Sequence, residues 1–233
     1  MSEIPYRRAL IVGAGAGISA SVARQLKAAG LKVGLAARNT DKLADLASDI
    51  GAETFAVDAA DPVAVERLFK QVDDRLGEPD VVVYNASGRA RGSIVDLDPV
   101  KVERAIAVSA YGGFLVTREA ARRMVPHGSG AILLTGASAS VKGYALSAPF
   151  AMGKFALRGL AQSAARELAP KGVHVAHFVI DGGVRSPTYP DPVERPDSTL
   201  DPDAIAQSYL DILRQPRSAW TWEVELRPWV ENF

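Results

Sequence analysis

The sequence of 233 residues contains no cysteine, which excludes a disulfide framework, a thiolate metal site and a cysteine nucleophile. Its 27 basic and 27 acidic side chains cancel, so no net charge favours nucleic acid or an acidic membrane surface as a partner. No run approaches the ~18 apolar residues that a spanning helix needs, and the first residues carry no apolar signal segment. We therefore expect a cytoplasmic protein that binds neither nucleic acid nor membrane.

Histidine is also scarce, and its placement argues against a metal site. His174 and His177 lie three positions apart on a predicted strand, which puts them on opposite faces of that strand, and His127 is distant in sequence. No metal cofactor is therefore expected.

What the sequence does contain is a regular alternation of apolar runs and amphipathic segments. The runs predict strands at residues 9–13, 32–37, 54–58, 80–85, 131–136, 173–180 and 222–226, and the segments predict helices at roughly 17–29, 40–49, 61–76, 99–125, 149–169 and 202–214. Three Asp-Pro pairs, beginning at Asp61, Asp98 and Asp201, predict helix starts. The runs lack polar alternation, as strands do when helices cover both faces of a parallel sheet. We therefore expect an α/β fold, a doubly wound parallel seven-stranded sheet, in a single domain over residues 1–233.

A glycine-rich turn follows the first predicted strand. Gly13, Gly15 and Gly17 precede Ile18 at the mouth of the first helix. Without Cβ atoms the backbone can approach a pyrophosphate, whose charge is favoured by the amides of a helix N-terminus. Ile18 stands where G-x-G-x-x-G would have its last glycine, so the spacing is not that of the common motif. The turn predicts a nucleotide site, and simple packing is the alternative.

The end of the second strand indicates the type of nucleotide. No acidic residue that would bind an adenosine ribose diol stands at Ala36 or Ala37, and Arg38 follows at once. A guanidinium suits a 2'-phosphate, so NADP(H) is favoured over NAD(H), unless Arg38 is a solvated partner of Asp41. Asp58 ends the third strand, where its carboxylate either accepts from the adenine amino group or caps a turn.

Residues 182–202 are rich in proline and acid and show no period. They follow the sixth predicted strand, and a loop beyond the carboxyl end of a strand is where this architecture places a lid over a ligand. The segment is therefore a candidate substrate loop, with a mobile surface loop as the alternative.

Taken together, these segments resemble the short-chain dehydrogenase/reductase family of the classical type, and the resemblance covers nearly the whole chain. The matching pieces are VGAGAGIS (12–19), Asp58, YNASG (84–88), FAMGK (150–154) and DGGVRS (181–186). The resemblance implies a Rossmann-like fold and hydride transfer between nicotinamide C4 and a carbonyl or alcohol carbon. It implies a cofactor site made by Gly13, Gly15, Gly17, Ile18, Arg38, Asp58, Asn85, Ala86, Ser87, Lys154, Gly182, Val184 and Ser186. Within it, Asn85 braces the central strand, Lys154 holds the nicotinamide ribose and Val184 offers its backbone to the carboxamide.

The reaction centre departs from the family's pattern. Phe150 stands at the position of the tyrosine that transfers the proton, and the usual serine spacing lands on Ala137, with Ser138 one place later. Ser109 stands at the position of the family's asparagine. Of four catalytic positions only Lys154 keeps the family's residue.

Other groups in the sequence are candidates to replace the missing acid. Tyr144 lies in the loop before the fifth predicted helix, where it either reaches a substrate oxygen or merely covers the loop. Ser138 can orient a carbonyl but is a poor acid, and losing general acid catalysis costs roughly 10² to 10⁴ in rate. Reduction of an activated alkene would take its proton from water. Arg89 and Arg91 are either contacts for an anionic substrate or solvated loop residues.

Two functions therefore stay open. The first is an NADP(H)-dependent oxidoreductase acting on a small carbonyl, alcohol or activated alkene with a non-standard proton donor. The second is a catalytically silent NADP(H)-binding sensor or assembly protein. The alanine-rich faces of helices 99–125 and 149–169 (Ala151, Ala156, Ala161, Ala164 and Ala165) predict a homodimer or homotetramer, with packing on the protomer's own sheet as the alternative.

Overall fold

The computed structural model describes residues 3–186 and 188–232. Seven parallel strands form one sheet in the order β3-β2-β1-β4-β5-β6-β7. They are β1 (Arg8–Val12), β2 (Lys32–Ala37), β3 (Glu53–Ala56), β4 (Val81–Tyr84), β5 (Gly130–Thr135), β6 (Val173–Ile180) and β7 (Glu223–Leu226). The predicted fold class is confirmed, and each strand lies within two residues of its predicted position.

Helices cover both faces of the sheet. They are α1 (Ile18–Ala28), α2 (Ala44–Ile50), α3 (Pro62–Arg75), α4 (Pro99–Ile106), α5 (Gly112–His127), α6 (Ala148–Leu168) and α7 (Pro202–Leu213). One core cluster joins the sheet to α1, α2 and α7, and a second joins it to α3, α5 and α6. No helix within the described ranges combines the length and apolarity needed to cross a membrane.

The three predicted Asp-Pro helix starts are confirmed. Asp61, Asp98 and Asp201 are the N-cap residues of α3, α4 and α7, and each carboxylate accepts a hydrogen bond from a backbone N–H of the first turn. Such caps satisfy donors that have no partner within the helix. Ser147 stands at the N-cap of α6, but its hydroxyl caps no backbone N–H.

The single helix predicted over 99–125 is wrong in one respect, because a π-helical turn over Ala107–Tyr111 separates α4 from α5. Two residues of this turn are bonded to the segment that begins at the end of β4: the Tyr84 hydroxyl donates to the Val108 carbonyl, and the Ser109 hydroxyl bonds to the backbone of Gly88. A Cβ on Gly112 would lie 2.4 Å from the Tyr84 hydroxyl, which explains the glycine there. Turns of this kind inside helices often occur at functional sites.

Candidate nucleotide and reaction site

The carboxyl ends of β1, β2, β3 and β4 open into a cleft of about 660 Å³. Seven of the predicted cofactor residues line it, namely Gly13, Gly15, Arg38, Asp58, Asn85, Ala86 and Ser87. Gly17 and Ile18 lie next to the cleft, at the start of α1. The other four predicted residues do not line the cleft; they are Lys154, Gly182, Val184 and Ser186. Seven of the predicted residues therefore share one cleft, and the remaining positions lie outside it.

The glycine turn has two kinds of glycine. Gly13 has a φ of +86°, and a Cβ there would lie 2.2 Å from the backbone nitrogen of Ala86, so only glycine fits. A Cβ on Gly15 or Gly17 would meet no atom within 4 Å. The turn is thus closed toward the protein at Gly13 and open at the start of α1, where unpaired amides favour an anion. These residues fit a bound pyrophosphate.

The amide of Asn85 braces this turn. Its Nδ2 donates to Ser19 Oγ at 2.7 Å, and Ser19 Oγ donates to the Gly13 carbonyl at 3.2 Å. The backbone N–H of Asn85 also donates to the Val12 carbonyl at 2.8 Å. The side chain therefore connects the end of β4 to the glycine turn and to α1. Ser19, the last residue of the VGAGAGIS segment, belongs to this network although it is not among the predicted cofactor residues.

Cations gather at the β2 end of the cleft. Arg38 and Lys42 both line it, and neither forms a salt bridge with any described residue. Asp58 is paired with Arg104, a residue of α4 that no sequence motif indicates. Burial raises the pKa of Asp58, but hydrogen bonds from the Ala60 N–H and Arg104 outweigh it and hold this pKa below its usual value. The local charge suits an anionic group.

A buried lysine and an aromatic ring occupy the end of β5. Lys154 is 3% exposed, and its Nζ donates to the Thr135 carbonyl at 2.7 Å. The Nζ lies 5.9 Å from the ring centroid of Phe150, and the guanidinium carbon of Arg89 lies 4.3 Å from the same centroid. Burial, together with the charge of Arg89, lowers the pKa of Lys154 to about 7.

The Arg89 loop is fixed at both ends. The Gly88 N–H donates to Ser109 Oγ at 2.9 Å, and Ser109 Oγ donates to the Gly88 carbonyl at 3.3 Å. The Gly92 N–H donates to the Leu146 carbonyl at 3.1 Å. Ser109 is therefore a fully buried anchor for the loop that carries Arg89.

The two candidate replacement donors lie in different settings. Ser138 begins a short 3₁₀ turn, Ser138–Ser140, directly after β5, and its side chain is half-buried. Tyr144 is 44% exposed, and its ring lies 5.9 Å from the Nζ of Lys142. Ser138 therefore follows the same strand that receives the Lys154 hydrogen bond, whereas Tyr144 lies further out on the loop.

A buried polar chain supports the 3₁₀ turn, and sequence reasoning missed it. His177 Nδ1 lies 3.1 Å from Glu223 Oε2, and its Nε2 lies 3.3 Å from Ser140 Oγ. The carboxylate can only accept, so Nδ1 carries the proton and Nε2 accepts from Ser140. Ser140 Oγ accepts in turn from the Ala137 N–H at 3.1 Å, and Arg158 pairs with Glu223 at 2.6 Å.

This hydrogen-bonded series of side chains is structural in character because Ser140 and His177 are both fully buried. Burial lowers the pKa of His177 to about 4, so its imidazole is neutral at pH 7. His174 is not part of this network: it stacks on Trp220 with ring centroids 4.7 Å apart, and its Nε2 lies 2.8 Å from the Thr221 carbonyl oxygen. Among residues 3–186 and 188–232 no group of three or more histidine and acidic side chains could hold a metal ion.

The predicted substrate loop, 182–202, is tied down near its two ends; Pro187 lies outside the described residues. Val184 pairs with Leu200 in a parallel bridge, and Arg185 pairs with Asp201 at 2.6 Å. Gly182 has a φ of +150°, and Ser186 bridges to Tyr189. The segment is therefore a folded excursion beyond β6, with its own internal hydrogen bonds.

A parallel doubly wound sheet with an open glycine turn at its carboxyl edge defines a nucleotide-binding α/β protein. The family model of the short chain dehydrogenases matches residues 7–191. The chain belongs to that family of oxidoreductases, whose members bind a nicotinamide dinucleotide.

Relatives and solved structures agree with this assignment. A short-chain dehydrogenase/reductase of Armillaria gallica is 33% identical over 193 residues, which are 78% of this chain and 73% of that protein. The crystal structure of a short-chain dehydrogenase from Rhodopseudomonas palustris is 34% identical, with a TM-score of 0.83, and the match covers 96% of this chain and 99% of that one. A metagenomic short-chain oxidoreductase in complex with NADP is 29% identical, with a TM-score of 0.84, covering 95% of this chain and 97% of that one.

Proposed function

We propose that the protein is an NADP(H)-dependent oxidoreductase that transfers hydride to or from a small carbonyl, alcohol or activated alkene, with a proton donor other than tyrosine. The observation that carries the proposal is the cleft with an open glycine turn at one end and, at the other, two cations, Arg38 and Lys42, that form no salt bridge with a described residue. That arrangement suits a dinucleotide with an additional phosphate on its adenosine ribose. The NADP complex of the metagenomic relative supports the same choice.

The remaining predicted cofactor contacts are part of this proposal. Lys154 holds the nicotinamide ribose, and the backbone of Val184 bonds the carboxamide, with Gly182 and Ser186 beside it. Asp58 accepts from the adenine amino group, and Ala86 and Ser87 lie along the cofactor. When bound, the nicotinamide supplies or accepts the hydride at its C4 atom.

The proton must come from a group other than Phe150, which stands at the tyrosine position and has none to give. We assign it to Lys154, because burial and the charge of Arg89 lower its pKa to about 7, near the value at which a general acid works best. As hydride reaches the carbonyl carbon, Lys154 gives a proton from Nζ to the oxygen, and solvent reprotonates the amine. Ser138 orients the oxygen.

Tyr144 is the other candidate donor, and substitution separates the two. With Lys154 as the donor, Tyr144→Phe leaves kcat nearly unchanged, whereas Ser138→Ala lowers it without abolishing it. A loss of roughly 10² or more in kcat for Tyr144→Phe would make Tyr144 the acid instead.

A second candidate, of another class, is a catalytically silent NADP(H)-binding sensor or assembly protein. Phe150 and Ala137 favour it, since neither side chain can donate or accept a proton. This candidate shares the cofactor site with the first and differs in having no turnover.

Calorimetric titration with NADPH and then NADH tests the function that both candidates share. We expect NADPH to bind more tightly than NADH. Arg38→Ala should weaken NADPH binding by about tenfold or more and leave NADH binding unchanged. Arg24→Ala is the matched control, because Arg24 is an exposed arginine of α1 that pairs with Asp49. If neither nucleotide binds at submillimolar concentration, the oxidoreductase proposal falls.

Assembly through α4, α5 and α6 is also proposed. The predicted alanine face is only partly available, because Ala161 and Ala164 are buried in the protomer's own core. Other side chains on these elements are exposed and apolar, namely Tyr111, Phe114, Met152 and Phe155. They support a homodimer or homotetramer, which analytical ultracentrifugation of the protein and of a Phe114→Glu, Phe155→Glu variant tests.

A further inference from the structure

We propose that Arg89, placed over the ring of Phe150 and beside Lys154, binds an anionic group of the substrate, so that the substrates are carbonyl compounds bearing a carboxylate or phosphate. The inference rests on the proposed function, since it assigns the substrate class of the same reaction centre.

The first step is the position of the guanidinium. Its central carbon lies 4.3 Å from the centroid of Phe150, which is stacking distance. A stacked guanidinium keeps its N–H edge free for a planar, bidentate partner such as a carboxylate or a phosphate. The phenyl ring, which has no hydroxyl, thereby holds an arginine in place.

The second step is the charge balance. Arg89 and Lys154 both approach the ring of Phe150, and the charge of one disfavours the charge of the other. No carboxylate of the described residues forms a salt bridge with either of them. Two cations that share an aromatic surface without an acidic partner leave a net positive charge that a bound anion would offset.

The third step is the rigidity of the support. Ser109 bonds to both backbone groups of Gly88, immediately before Arg89. A Cβ on Gly88 would lie 2.6 Å from the Cα of Ala105, so the chain is pressed against α4 at this point. The Gly92 N–H bonds to Leu146 on the neighbouring loop. The backbone that carries Arg89 is thus anchored on both sides, unlike that of a freely solvated loop residue.

Two matched pairs of probes test the proposal: acetoacetate against its neutral methyl ester, and dihydroxyacetone phosphate against dihydroxyacetone. Binding to the NADPH complex is followed by nicotinamide fluorescence, and turnover by NADPH oxidation. We expect the charged member of at least one pair to bind about tenfold or more tightly than its neutral partner. Which pair shows the preference distinguishes carboxylate from phosphate.

Substitutions then assign the preference to one side chain. Arg89→Gln should abolish the preference for the anion by weakening the binding of the anionic probe alone. Arg89→Lys should restore part of this preference, and Arg91→Gln should leave it intact. Unchanged NADPH affinity shows that the variants are folded. The proposal is overturned if both anions fail to bind the NADPH complex, if the neutral members bind equally well, or if Arg89→Gln keeps the preference. Failure of NADPH itself to bind would instead overturn the proposed function, and the substrate assignment with it.

Discussion

The two ends of the site differ in how their polar groups are partnered. At the nucleotide end, Asn85, Ser19 and Gly13 form a connected network around an open turn. At the other end, the ring of Phe150 is approached by two cations, Arg89 and Lys154, and the polar network of Ser140 and His177 is buried. The first end therefore relies on backbone shape for what it can bind, whereas the second relies on side chains that carry charge.

This difference separates binding from chemistry. The glycine turn depends on backbone shape and on a few bracing side chains, Asn85 and Ser19 among them. Under the proposed function, proton transfer depends on single side-chain atoms, so a hydroxyl missing from the tyrosine position would change the reaction without changing the fold. The following predictions test how far the two ends are independent.

The largest effect is expected from restoring the hydroxyls. Phe150→Tyr combined with Ala137→Ser should raise turnover on a carbonyl panel by roughly 10² to 10⁴ if the wild-type protein is catalytically silent, because general acid catalysis contributes that much, and by far less if Lys154 already supplies the proton. NADPH affinity should stay the same, since neither residue lines the nucleotide cleft. Steady-state kinetics and calorimetry on the same preparation measure both quantities.

The single variants are the controls for this experiment. Ala137→Ser alone supplies a hydroxyl but no acid and should change turnover little. A double variant that binds NADPH normally and still gains no activity would mean that the reaction centre lacks more than the two hydroxyl groups.

The next effect concerns the closed side of the glycine turn. Gly13→Ala should lower the free energy of unfolding by about 3 kcal/mol, since it combines a positive φ with a clash against the backbone of Ala86. Gly30→Ala is the control: Gly30 has a φ of +91°, yet a Cβ there meets nothing within 4 Å. Urea denaturation of both variants isolates the clash. If both variants lose the same free energy of unfolding, the backbone around Gly13 can shift to accommodate a Cβ, and close packing is not the reason for glycine there.

A smaller, pH-dependent effect is expected at Lys154. Its pKa falls from 10.5 to about 7 on folding, so between these values the unfolded chain binds more protons than the folded one. This group therefore makes stability rise with pH, by roughly 1.4 kcal/mol per unit between pH 7 and 9. Lys154→Met should remove that rise and be the more stable protein at pH 7.

Denaturation at several pH values checks this slope, with Lys171→Met as the control. Lys171 is an exposed lysine paired with Glu167, and its replacement should leave the slope unchanged. A wild-type slope that survives in Lys154→Met would show that the lysine stays protonated when buried. The assignment of Lys154 as proton donor would then fail.

The sequence was sufficient to predict the sheet, the helices apart from the π-helical turn at Ala107–Tyr111, three Asp-Pro helix starts and the glycine turn after the first strand. These features depend on local hydrophobic periodicity and on the backbone conformations that glycine and proline allow, and both are determined by residues close in sequence. Contacts between distant segments were not predictable in this way. Ser109 bonding to Gly88, Arg104 pairing with Asp58, and His177 joining Ser140 to Glu223 all arise from packing across the sheet, and no spacing in the chain indicates them.

The smallest effect is expected from one of these unpredicted contacts. Arg104 and Asp58 are both substantially exposed, so Arg104→Ala should change the free energy of unfolding by less than about 1 kcal/mol. It releases the Asp58 carboxylate, which under the proposed function bonds the adenine amino group, so NADPH should bind slightly more tightly, by less than about fivefold. Arg75→Ala is the matched control, because Arg75 forms a similarly exposed pair with Glu53 at the opposite end of β3. Calorimetry that finds weaker NADPH binding in Arg104→Ala alone would mean that Arg104 itself contacts the nucleotide. The cation cluster at this end of the cleft would then hold three members, and Asp58 would serve to position one of them.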